Sequence, residues 1–244
     1  MAASRSSNTR DTILDAAEHL FAHQGHDNTS MRQITAAAGV NLSAVNYHFG
    51  SKDGLVQAVF QRRLAALNDE RLALLNALED QARGQPLKPS QIVESFFGPL
   101  VRHACGASDS QKAFVPLLER SMSDPGGFIR AAIIDEHSEV LDRFKQALLL
   151  SLPDVPEEEI VWRFQFMLGA TSYAITGTDD LRTAMNWPGT QNDKDDATRL
   201  LLDRLMSFLL GGLRAPLPGS EASALYARHE QDANAATHKP RSLS

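Results

Sequence analysis

The chain has 244 residues, 43% hydrophobic and 22% charged, with a net charge of −6. Its single cysteine, Cys105, excludes an intramolecular disulfide, and no apolar run approaches the roughly 18 residues that span a bilayer. The acidic sum argues against a polyanionic partner for most of the molecule but not for its start: residues 1–63 carry six Lys/Arg against five Asp/Glu, whereas residues 64–244 carry eighteen against twenty-five.

Helical periodicity dominates and alternating strand patterns are nearly absent. A first helix over about 10–24 places Ile13, Leu14, Ala17, Leu20 and Phe21 on one face, and Gly25 stops it. No continuous apolar core of signal-peptide type precedes it, so a cytoplasmic, soluble protein is expected. Ser30-Met31-Arg32-Gln33 has the spacing of a capping box and opens a second helix. Gly39 turns the chain, and Asn41 caps a third helix of only about two turns, ending near Phe49-Gly50. Ser51 caps a fourth, carrying Leu55, Val56, Val59, Phe60, Leu64, Leu67, Leu74, Leu75 and Leu78 to about Arg83. GQPLKP (84–89) breaks the pattern, and apolar helices follow near 90–105, 111–123, 127–151, 157–177 and 194–211. From Arg214 onward the composition is that of a mostly disordered tail. The expected fold is all-α: an N-terminal three-helix bundle with a helix-turn-helix over 8–52, joined by a long helix to a ligand-binding and dimerisation domain over 53–213, then the tail 214–244.

The segment GVNLSAVNYHFGSKDGL raises the functional question. Helices two and three, joined by Ala38-Gly39-Val40-Asn41, have helix-turn-helix spacing, in which the second helix enters the DNA major groove with its N-terminus first. A short reading helix needs only a few outward residues. Val45 and Phe49, with Ile34, face the bundle. Tyr47 and His48 stand at its end, where a phenol and an imidazole can reach phosphate oxygens, and Lys52 adds a cation beside free amide donors. A packed hairpin with no DNA role would leave Tyr47, His48 and Lys52 exposed without purpose.

The first helix ending in LFAHQG, followed by TSMRQITAAAGVNLSAVNYHFGSKDGL, resembles the N-terminal domain of the TetR family of transcriptional regulators over about residues 10–60. The resemblance implies phosphate contacts at Thr29, Tyr47, His48 and Lys52, and base-facing positions at Leu42, Ser43, Ala44 and Asn46. Leu42 departs from the polar or basic residue frequent there, which makes a thymine methyl group its natural contact. The resemblance also implies a homodimer on a palindromic, double-stranded operator, released by a small molecule, with no enzyme activity and no cofactor.

In the later helices, Trp162, Phe166, Gly169 and Tyr173 lie roughly opposite Ile160, Phe164, Met167 and Ile175, so helix 157–177 is apolar on two sides and sandwiched. Helix 194–211 is apolar nearly all round. The two together predict a dimer interface containing Trp162, Phe166, Gly169, Tyr173, Leu202, Leu205, Met206 and Leu209. Candidate pocket residues are Phe96, Leu100, His103, Phe114, Leu118, Phe128, Ile133, Glu136, His137, Phe164 and Met167, most of which are equally readable as core. Few inward charges favour a hydrophobic effector. NLSAVNYHFGSK and PLLERSMSDPGGF are similar to the TetR subgroup that responds to fatty acids or acyl-CoA.

His19 and His23 have metal-compatible spacing, but no carboxylate or thiol completes a site, and Cys105 with His103 lacks further ligands. Arg120 is a weaker candidate for binding an anion. Glu157, Glu158 and Glu159 complement a helix dipole after Pro156. No P-loop, G-x-S-x-G or HExxH is present. The rival readings are a lipid carrier whose N-terminal bundle is only structural, and an all-α enzyme using Glu136 and His137 as an acid–base pair.

Overall fold

Short-range capping chemistry sets the helix boundaries of the N-terminal bundle. The computed structural model describes residues 2–105, 115, 118, 128–176, 184–186 and 194–217; the side chains of 2–7, 128–137 and 194–195 lie outside that description. Among the described residues there are eight helices and no strand: α1 (Ala2–Gln24), α2 (Met31–Ala38), α3 (Leu42–Phe49), α4 (Lys52–Ala82), α5 (Pro89–Cys105), α6 (Phe128–Ser151), α7 (Glu157–Thr176) and α8 (Lys194–Leu213). The all-α expectation holds. The predicted helix 111–123 lies outside the described residues, apart from Val115 and Leu118, both helical.

Helix α1 starts at Ala2, eight residues before the expected start. The segment AASRSSNT offers no apolar stripe, so periodicity has nothing to register there. Helix α2 is closed by the reciprocal capping box: Gln33 N donates to Ser30 Oγ at 3.3 Å, and Ser30 N donates to Gln33 Oε1 at 2.8 Å. Ser30→Ala is expected to lower stability by about 1 kcal/mol, read as a shifted urea midpoint at unchanged slope. An unshifted midpoint would mean that the cap is not needed. Gly39, at φ 65° and ψ 29°, takes the left-handed turn that an L side chain enters at a cost.

The bundle packs on Ile13, Leu14, Ala17, Phe21, Ile34, Val45, Leu55 and Val59, and this core continues along α4 through Phe60 and Leu67 to Leu100 of α5. A second core begins at Leu75 of the same helix and includes Phe96, Phe97, Phe144, Ile160, Met167, Leu205, Leu209 and Leu213. Helix α4 therefore serves both cores, giving the shared long helix that the sequence predicts. Its 31 residues span about 46 Å at 1.5 Å per residue.

Two corrections concern the C-terminal part. Leu205 and Leu209, expected at a dimer interface, are 5% and 1% exposed and sit in the body core, because α8 packs against α5 with one of its apolar faces. Most of the expected tail, residues 218–244, lies outside the described residues, but its first residues are held. Arg163 of α7, 7% exposed, donates to the carbonyl oxygens of Leu213 at 2.6 Å and Ala215 at 2.9 Å. No described helix is long and apolar enough to cross a membrane.

Candidate functional site

The outward surface of α3 forms the first part of the site. Asn41 Oδ1 accepts from Ala44 N at 2.8 Å and fixes where the helix starts. At its far end Gly50 N donates to Asn46 O at 2.9 Å, and Ser51 Oγ, accepting from Gly54 N at 3.0 Å, opens α4 at once. Val45 is fully buried and Phe49 partly so, which locks the rotation of α3 about its axis. That rotation brings Leu42, Ser43, Asn46 and Tyr47 to the surface, with Ala44 and His48 half-buried.

Tyr47 is 83% exposed, and its ring stands edge-on to His48 at 5.2 Å between centroids. Lys52 lies beside the end of α3, its Nζ donating to the Asp27 carbonyl oxygen at 3.3 Å. An ammonium has three donors, so this tether leaves capacity for an anion. Tyr47, His48 and Lys52 thus share the end of the exposed α3 surface.

Thr29 departs from the sequence reading. It is 1% exposed; its hydroxyl donates to Gly25 O at 2.7 Å and accepts from Gln24 Nε2 at 3.1 Å. It closes the α1–α2 turn from inside, where no phosphate oxygen can reach its side chain.

The bundle is tied to α4 by ion pairs that the sequence reading missed. Glu18 of α1, 4% exposed, bonds Arg62 Nη2 and Arg63 Nε with its two carboxylate oxygens, and Arg62 Nη1 reaches Asp15 at 2.7 Å. Burial lowers the Arg63 guanidinium below its ordinary value, partly offset by Asp15. The i to i+3 spacing of Asp15 and Glu18 on α1 was the available signal.

A cavity of about 180 Å³ lies where α4, α5, α6 and α7 meet. Phe60, Leu64, Phe96, Leu100 and Leu118 supply apolar walls, and Asn68, Arg71 and Ser172 supply polar groups. Phe96, Leu100 and Leu118 were expected there. Phe164 instead lines an outer groove of about 550 Å³ between α6 and α7, which shares Leu141 and Leu168 with the cavity. Met167 is 4% exposed in the body core and not on the cavity wall. His103 does not face the cavity either. Near the end of α5 it bonds Glu70 Oε2 at 2.8 Å, and Arg102 bonds the other oxygen at 3.1 Å. Burial raises the Glu70 pKa, but these two partners outweigh it and hold the carboxyl below its usual range. Phe114 lies outside the described residues, as do the side chains of Phe128, Ile133, Glu136 and His137.

Arg71 is the residue the sequence reading overlooked. It is 5% exposed; its Nε donates to Phe96 O at 2.8 Å, its Nη1 to Asn68 Oδ1 at 2.9 Å, and its guanidinium lies 3.7 Å from the centre of the Phe96 ring. Burial brings its pKa down to about 9, with Glu70 opposing, so the group stays charged at neutral pH. Its position, four residues after Leu67 and four before Leu75, placed a charge in the inward register of α4.

The remaining surface feature is apolar. Trp162, Phe166 and Tyr173 on α7 are 47%, 64% and 54% exposed, and Gly169 lies exposed between them. Phe208 on the adjoining α8 is 68% exposed, whereas Leu202 and Met206 are half-buried against the body core.

A helix-turn-helix bundle mounted by one long helix on an all-α body with a partly open cavity defines the class of helical, helix-turn-helix proteins. The sequence pattern of bacterial regulatory proteins of the tetR family matches residues 13–59, and that of the tetracyclin repressor-like C-terminal domain matches residues 94–212. The chain belongs to the TetR family. Among its relatives, the HTH-type transcriptional regulator AcrR of Shigella flexneri is 38% identical over 81 residues, 32% of this chain and 35% of that protein. The HTH-type transcriptional repressor AcnR of Corynebacterium glutamicum is 28% identical over 90 residues, 37% of this chain and 47% of that protein. The matched stretches thus span less than half the length of either relative. In fold, the fatty acid degradation regulator FadR from Bacillus halodurans superposes with a TM-score of 0.59 over 85% of this chain and 97% of that one, at 16% identity.

Proposed function

We propose that the protein is a homodimeric, ligand-responsive DNA-binding regulator of transcription that represses from a palindromic operator. The observation that carries the reading is the fixed rotation of α3. Val45 is fully buried, while Leu42, Ser43, Asn46 and Tyr47 face outward beside Lys52. In this reading Leu42, Ser43, Ala44 and Asn46 face base edges, and Tyr47, His48 and Lys52 hold the sugar–phosphate backbone at the end of α3. Repression is the activity named for AcnR, and its extension to this chain is part of the proposal.

Electrophoretic mobility shift on sequences selected from a random DNA pool tests it. Tyr47→Ala and Lys52→Ala are expected to weaken binding to every sequence alike, by about tenfold each. Lys52→Ala is also expected to reduce the log–log salt slope by about 0.9. Asn46→Ala is expected to change which sequence is preferred. Unchanged affinity and preference in all three variants would remove α3 from the DNA.

The effector is a hydrophobic small molecule of the fatty-acid or acyl-CoA type, received between α4, α5, α6 and α7. The apolar walls of that cavity support this reading. Binding there acts on α4, whose first turn adjoins the end of α3. Switching from nearly full to nearly empty occupancy requires about 10⁴-fold discrimination between the two states, near 5.5 kcal/mol. Burial of an aliphatic body, at about 0.8 kcal/mol per CH₂, supplies several kcal/mol of that.

A further inference from the structure

Arg71 carries a full positive charge inside an apolar cavity, yet among the described residues the groups bonded to it are neutral: the Phe96 carbonyl and the Asn68 amide. Its sequence neighbour Glu70 favours the charge at a distance, but its carboxylate oxygens bond Arg102 and His103 and not Arg71. A buried cation without a bonded counter-ion is costly, and the Phe96 ring face recovers only part of that cost. A leucine at this position would have filled the space with no such cost. Bonds through Nε and Nη1 hold the plane of the guanidinium fixed at the cavity wall, and a fixed fork suits a carboxylate.

We infer that the cavity binds a small monocarboxylate, its acid group paired with Arg71 and its short aliphatic or single-ring body lying against Phe60, Leu64 and Leu100. The inference rests on the ligand-responsive reading above; it keeps the acid group of a fatty acid and replaces the long-chain and acyl-CoA forms of the effector with a small acid. Size favours a small acid: an apolar cavity of about 150 Å³ takes up benzene, and the space of about 180 Å³ bounded by the described residues holds one ring or a short chain. An acyl-CoA exceeds it many times over, and its thioester carbonyl offers no charge to Arg71. A sixteen-carbon acid overfills it unless Leu141 and Leu168, the wall shared with the outer groove, move aside.

The test is isothermal titration and thermal shift on the full-length protein without DNA, with sodium hexanoate, sodium benzoate, hexanamide, sodium palmitate and inorganic phosphate. Hexanoate or benzoate is expected to bind and raise the melting temperature, with hexanoate about 10- to 100-fold tighter than hexanamide. Arg71→Met is expected to abolish that preference while hexanamide binding stays as it was. Should Arg71→Met fail to fold, Leu100→Phe, which fills the cavity and leaves the arginine, is expected to weaken hexanoate at least tenfold. Equal binding of acid and amide, undiminished hexanoate binding by Arg71→Met or Leu100→Phe, tighter binding of palmitate or phosphate than of hexanoate, or no acid binding at 10 mM would each overturn the inference. Because DNA is absent, failure of operator recognition reads out separately. Hexanoate that binds through Arg71 without changing operator affinity upholds this site and counts only against its regulatory role.

Discussion

A glutamate placed at both Phe166 and Phe208 is expected to turn the protein into monomers and to cost operator binding about 10²–10⁴-fold. The two rings are 64% and 68% exposed on neighbouring helices, with Trp162 and Tyr173 on the same face of α7. Water around so many large rings is unfavourable, and a second copy related by a two-fold axis removes it for both chains at once. Carboxylates buried on that face would add desolvation and mutual repulsion. In the proposed reading DNA binding falls with the dimer, because each α3 would cover only one half-site. Linked half-sites raise the effective concentration of the second contact, and this gain of 10²–10⁴ is lost with the dimer. Sedimentation velocity is the check: the native protein at about twice 26.7 kDa, the double variant at the single-chain mass. A variant that stays dimeric would place the interface elsewhere.

Glu18→Ala is expected to destabilise the reading bundle by roughly 3 kcal/mol, lowering the melting temperature by about 6–12 °C. One carboxylate, 4% exposed, faces two arginines of α4, and its loss leaves two like charges adjacent with Asp15 as the remaining acid. The side chains of Arg62 and Arg63 are 29% and 27% exposed, so both can turn partly toward water, which keeps the cost near the low end for a broken buried pair. Glu18→Gln keeps the shape and loses only the charge, so a smaller fall is expected. In the Glu18→Ala, Arg62→Leu double variant the losses should be less than additive. Full additivity in calorimetry would mean that the two residues do not interact. These ion pairs also join α1 to α4, so if effector binding acts through α4 as proposed, Glu18→Ala should weaken the link between effector and operator.

The parts legible in the sequence are those governed by chemistry a few residues wide. Ser30 with Gln33, Gly39, Asn41, Gly50 and Ser51 each bound a helix through bonds to near neighbours, and α2 and α3 appear where those residues predict. The inward positions Ile34 and Val45 were readable for the same reason. What stayed hidden depends on which element covers which face. Thr29, a phosphate contact by resemblance alone, is turned inward by its bonds to Gly25 and Gln24. Leu205, Leu209 and Phe208 are all apolar on one helix; only the packing of α8 on α5 separates the first two, which are core, from the third, which is exposed. His103 was placed on a pocket face, but Glu70, distant in sequence, holds it elsewhere. Arg71 lies in the inward register between Leu67 and Leu75, but the neighbouring charges in NDERLALL give it the pattern of a solvated face.

The most direct measurement is methylation interference footprinting of the dimer on its selected operator, with guanine N7 methylated in the major groove and adenine N3 in the minor groove. Two interference windows are expected, centred about 10–10.5 base pairs apart on one face of the duplex, and Asn46→Ala should alter the pattern inside both. Interference confined to the minor groove, or a single window in a dimeric complex, would contradict the account.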